Sequence, residues 1–104
     1  MATFTIKRGD TAPALRYALT PATIDLTGAT VVFNLRGVLT RAPAAIVTAL
    51  PPVVEYVWQA GDTDQLGLRP AEFEVTYAGG AVETFPTGDS AEDRLLVNVV
   101  GDLG

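Results

Sequence analysis

Asp62 and Asp64 stand two residues apart, and a denser acidic run, Asp89-Ser90-Ala91-Glu92-Asp93, lies near the end of the chain. Oxygen-liganded cations use carboxylates in such patterns. Calcium, however, takes about six to eight oxygens, and no further Glu follows Asp64 at the distance a calcium loop requires. The pair therefore reads as a turn in which Asp62 bonds its own backbone, and residues 89–93 as a solvated loop. Glu72 and Glu74 point to one side of an extended run, as a general acid and its base would. Nothing around them predicts the burial that lifts one carboxyl of such a pair, so they read as the wet face of a half-exposed strand. Arg8-Gly9-Asp10 is the tripeptide that integrins read, and a Gly-Asp-Thr turn after an opening strand accounts for the same residues. Gly79-Gly80 lies between two strand-like runs and opens no helix, so it is no phosphate loop.

The missing residue types narrow the chemistry further. There is no Cys and no His, and Ser90 is the only serine. Thiolate catalysis, disulfides, Cys/His zinc sites and every His-based triad are excluded. We expect no enzyme, no catalytic residue, no metal and no cofactor. Net charge is −5, from 12 acidic and 7 basic residues, and only Lys7 and Arg8 among the basic ones are adjacent. Nucleic acids and anionic membranes are bound through basic patches, so neither is an expected partner. No apolar run approaches the roughly 18 residues of a membrane span, and no basic-then-apolar leader opens the sequence.

The elements that must position these residues show themselves by alternation. The chain has 104 residues, the size of one domain spanning residues 1–104, with 48 % hydrophobic and only 18 % charged residues. Thirteen threonines and twelve valines favour strands. Phe4 and Ile6 flank Thr5 in a first strand. Leu15, Tyr17 and Leu19 share one face, as do Val31, Phe33 and Leu35, and then Val54, Tyr56 and Trp58. Phe73, Val75 and Tyr77 alternate with Glu72, Glu74 and Thr76. Residues 78–81 read as a hairpin turn into a strand over 82–85, and residues 95–100 as a last strand. Residues 41–50 fit either a helical turn or a strand, and residues 61–66 could hold a helical turn capped by Asp62. Seven to eight short strands at this spacing predict an all-β fold, an immunoglobulin-like antiparallel β-sandwich. Val32, Val38, Leu39, Val53, Val57, Leu96 and Val100 would add apolar surface that a lone sandwich leaves wet, which points to protein–protein contact.

Three stretches carry a resemblance. Phe4-Thr5-Ile6-Lys7-Arg8-Gly9-Asp10-Thr11-Ala12-Pro13-Ala14-Leu15 resembles the opening of the N-terminal domain of phage baseplate upper proteins. Asp25-Leu26-Thr27-Gly28-Ala29-Thr30-Val31-Val32-Phe33 is similar to a second signature of that family. The third is Val54-Glu55-Tyr56-Val57-Trp58-Gln59-Ala60-Gly61-Asp62-Thr63-Asp64, followed by Gly67, Ala71-Glu72-Phe73-Glu74-Val75 and Glu83-Thr84-Phe85-Pro86. The resemblance implies a β-sandwich tail or baseplate component that packs on the baseplate core and has no catalytic residues. Its shared Gly9, Asp10, Gly28, Gly61, Asp62 and Gly67 are expected turn formers. Arg69 and Pro70 stand where the family has an aromatic, which blurs the start of the strand there. The sequence ends at Gly104 with no linker or receptor-binding region, so an adaptor, neck or tail-completion piece is expected.

The expected function is thus that of a non-enzymatic bacteriophage virion structural protein, assembled in the bacterial host cytoplasm. It would pack as a symmetric homo-oligomer against other tail, baseplate or neck proteins, through Tyr17, Arg36, Tyr56, Trp58 and Arg69. The alternatives are a capsid or tail decoration protein and a carbohydrate- or host-surface-binding module, the latter needing Trp58 or Tyr77 exposed beside carboxylates. A small metal-dependent hydrolase would have to use Asp62, Asp64 or Asp89.

Overall fold

Valine, threonine and aromatic residues at every second position bury one face of an extended chain, and such runs recur along this sequence. A computed structural model describes residues 2–88 and 94–101. Its strands are β1 (Ala2–Lys7), β2 (Leu15–Ala18), β3 (Thr30–Leu35), β4 (Leu39–Thr48), β5 (Val53–Tyr56), β6 (Gly67–Thr76), β7 (Val82–Phe85) and β8 (Leu95–Val100). The described residues contain no helix, so the fold is all-β. Residues 61–66 form turns instead of the helical turn considered above, and residues 41–48 lie in β4. The 89–93 run falls outside the described residues.

The strands follow one hydrogen-bonded order, β1-β8-β6-β3-β4-β5-β2, with β7 also on β6, and the sheet bends until it is nearly barrel-shaped. The bend lies in β4. Residues up to Ala44 pair with β3, whereas Ala45, Ile46 and Thr48 pair with β5. Every pairing is antiparallel except that of β1 with β8, which is parallel.

β6 is a ten-residue strand with two successive neighbours on one edge: β8 against Gly67–Ala71 and β7 against Phe73–Thr76. Pro70 does not break it. The Pro70 carbonyl accepts the Arg36 N–H just past the end of β3, so the missing proline N–H faces a place where no strand remains to be bonded. A second irregularity sits in β4, where Phe33 opposes Ala42 but Leu35 opposes Leu39. The extra residue makes a bulge with Arg41 at φ 52°. The Asn34 side chain holds that bulge by accepting the Arg41 N–H at 2.7 Å.

The alternation expected for β3, β5 and β6 is what the core displays. Val31, Phe33, Leu35, Val54, Tyr56, Phe73 and Val75 are all buried, with Leu15, Leu19, Leu26, Trp58, Phe85, Val97 and Val99 around them. Phe33 sits at the centre: its ring lies 4.7 Å from Tyr56, 4.9 Å from Phe73 and 5.8 Å from Trp58. Tyr17 stacks on Phe73 from the far end of the sheet order, and Phe4 on Trp58. Offset and edge-on pairs of this kind add to the area they bury. Phe33→Ala removes the common member of three of these pairs. It is expected to cost about 3–5 kcal/mol, read as a lower urea midpoint with the slope of the transition retained.

Candidate functional site

Several side chains that could do chemistry are bonded within the fold instead. Arg8-Gly9-Asp10 follows β1 as a tight turn in which the Asp10 N–H donates to the Lys7 carbonyl, with Gly9 at φ +86°. A glycine takes that left-handed conformation at no steric cost. Thr63 clasps the turn from below. Its hydroxyl donates to the Asp10 carbonyl at 2.8 Å and accepts the Gly9 N–H at 3.1 Å. Thr63 is 1 % exposed, the one buried polar residue among those described, and this explains how a hydroxyl is tolerated there. The integrin-like tripeptide is therefore a structural turn tied to the loop after β5.

Asp62, in the same loop, caps no helix. Its carboxylate accepts the Gln59 N–H at 2.8 Å and the Tyr56 hydroxyl at 2.5 Å. Burial first, and then the bond to Asp62, pushes the Tyr56 hydroxyl well above its ordinary range. Asp25 makes a similar turn: the Thr27 hydroxyl and the Thr27 N–H both donate to it and hold its carboxyl below the usual range. No group of three or more Asp or Glu gathers at metal-binding distance among the described residues. Glu74 pairs with Arg41 across the sheet, and Glu55 with Arg16.

The five residues expected at a contact surface do not form one exposed surface. Tyr56 and Trp58 are 3 % and 2 % exposed and belong to the core, so neither presents a contact surface. Alternation marked both correctly as one stripe, but aromatic type does not separate core from contact. Tyr17 is half-buried on Phe73. Arg69 folds back onto its own strand start, donating to the Gln65 and Leu66 carbonyls and the Gln65 amide oxygen. Arg36 alone is exposed and has no side-chain bond among the described residues. It lines an open cleft of about 310 Å³ with Asn34, Leu39, Pro70 and Glu72.

The apolar surface is also distributed differently from expectation. Leu96 is buried, and Val32, Val38, Leu39, Val53 and Val100 are half-buried, leaving only Val57 of that set exposed, at 50 %. Leu50, Leu66, Leu68 and Val82 are the other large exposed hydrophobics. Alternation could not mark Leu66, because it lies in the turn before β6. Trp58, expected to be exposed in a sugar-binding module, instead has a buried indole N–H with no acceptor among the described residues. Tyr77 is half-buried, with its hydroxyl donated to Glu83 at 2.8 Å.

A scan of protein-family models finds no match to this chain, and searches of the curated proteins and of the solved structures find none either.

Two measurements check the turn chemistry. Thr63→Val keeps the volume but strands the Asp10 carbonyl and weakens the hold on Gly9. It is expected to lower stability by about 1–3 kcal/mol, measured by urea unfolding. Partial burial and Glu83 push Tyr77 from 10.0 to about 12, and Tyr56 moves in the same direction. Below the unfolded value both states keep these protons and the contribution is intact. It is lost as pH rises from about 10 towards about 12. Tyrosinate absorbance should therefore lag behind that of the urea-unfolded chain, and the urea midpoint should fall across that window.

Proposed function

We propose that this chain is a non-enzymatic structural subunit of a bacteriophage virion, a tail, baseplate or neck adaptor that assembles by packing against other tail proteins. One observation carries the reading. The three stretches that resemble baseplate upper proteins, far apart in sequence, are clasped to one another. Gly9 and Asp10 of the first bond Thr63 of the third, and Phe4 stacks on Trp58. Phe33 of the second packs on Tyr56 and Trp58 of the third. A resemblance spread over unconnected surface would carry little, whereas these residues form one framework.

The strand order supports an immunoglobulin-like sandwich as the finer description. β2, β5 and the second half of β4 would form one layer. β1, β8, β6, β3 and the first half of β4 would form the other, with β4 passing between them. Such a subunit works by shape: its edges and apolar side chains pack into a symmetric assembly, while its acidic surface keeps the free subunit soluble. It needs no cofactor, nucleic acid or membrane.

Quantitative mass spectrometry of gradient-purified phage particles tests this. A few copies per particle, relative to tail-tube and capsid proteins, are the expected result. Copy numbers rivalling the capsid protein would make the chain a decoration protein instead, and its absence from particles would overturn the virion reading.

A further inference from the structure

An open strand edge is a template for another strand, and proteins usually blunt such edges with proline, bulges, charge or short length. The sheet leaves several edges open among the described residues. β2 has four residues and is flanked by Pro13 and Pro21, and β7 has four and is followed by Pro86. β4 carries the Arg41 bulge and Pro43, and the start of β6, beyond the end of β3, carries Pro70. β1 differs. Its six residues, Ala-Thr-Phe-Thr-Ile-Lys, include no proline, glycine, bulge or acidic residue, and its one charge is at the last position.

The hydrogen bonding of β1 fixes which groups are open. The Ala2 N–H donates to the Arg94 carbonyl and the Arg8 N–H to the Val100 carbonyl, one at each end of the parallel ladder. Bonding residues recur at every second position in such a ladder, so the even-numbered residues face β8. The N–H and C=O of Thr3 and Thr5 point away from the sheet, as does the N–H of Lys7, whose carbonyl already accepts from Asp10. Thr3 and Thr5 are exposed, and Phe4 is only half-buried.

We propose that β1 pairs antiparallel with β1 of a second copy of this chain, about a two-fold axis at Thr5. In that register the two Thr5 residues exchange N–H and C=O bonds, and each Lys7 N–H donates to the Thr3 carbonyl of the other copy. Phe4 falls opposite Ile6 of the other copy, an apolar cross-strand pair on the core side, where Ile6 is buried in its own subunit and Phe4 half-buried. Charge does not oppose this occupant or register. The molecule carries −5 overall, yet this edge bears no acidic group, and the two-fold places the two Lys7 ammonium groups at opposite ends, each facing a neutral threonine. The inference deepens the assembly reading by naming the strand and its occupant. It is measured on the full chain alone, so its failure and that of the virion reading are distinguishable.

Sedimentation velocity over a range of concentrations is expected to show a dimer. Thr5→Pro removes an N–H that bonds nothing within the subunit, so the circular dichroism and thermal transition should be retained while dimer dissociation shifts by about tenfold or more. Thr5→Lys and Thr5→Glu each set like charges across the two-fold. Each alone is expected to be monomeric, and an equimolar mixture should recover the dimer. A monomeric parent chain, an oligomer indifferent to Thr5→Pro, or a Lys/Glu mixture that stays monomeric would each overturn the proposal.

Discussion

Phe33 is the point at which the strands on either side of β4 hold each other. Its ring touches Tyr56 on one side and Phe73 on the other, with the Trp58 edge closing the third approach. With no cysteine in the chain and no helix among the described residues, side-chain packing around this ring is what holds the bent sheet closed. The turn chemistry is joined to the same contact. Tyr56 stacks on Phe33 and donates its hydroxyl to Asp62, whose carboxylate also holds the Gln59 N–H in the loop that brings Thr63 to Gly9. A small aromatic cluster and a short chain of polar bonds therefore define the end of the molecule where β1 turns towards β2.

That arrangement limits what the surface can do. Asp62 and Glu74, a candidate ligand and a candidate base by type, each hold groups of this chain, as Asp25 and Glu55 also do: an N–H, a hydroxyl or a guanidinium. Arg36 over its cleft and the exposed leucines and valines take no part in these bonds.

Period-two patterns made β3, β5 and the end of β6 legible, because a strand buried on one face must alternate. β4 was ambiguous for a physical reason: the Arg41 bulge and Pro43 interrupt the alternation that would have identified it. The start of β6 was obscured by Pro70, which reads as a breaker unless one knows that β3 ends beside it. Glycines 9, 28, 61 and 67 were recognisable as turn formers, and all four have positive φ. The contact surface was least legible. Tyr56 and Trp58 carry the aromatic signature of a hot spot and of a core alike, and only packing separates the two. An edge strand is defined by which neighbours it lacks, and neighbours are set by chain topology that no local pattern encodes.

The parallel pairing of β1 with β8 also has a mechanical consequence. Because the two strands run the same way, the chain enters the ladder at Ala2 and leaves it at Val100, at opposite ends. Tension applied along the chain drags the two strands past each other lengthwise. Every bond of the ladder is then strained together in shear, instead of parting one at a time as a hairpin unzips. A subunit strung between neighbours through its first and last strands would resist stretching far better than its modest size suggests.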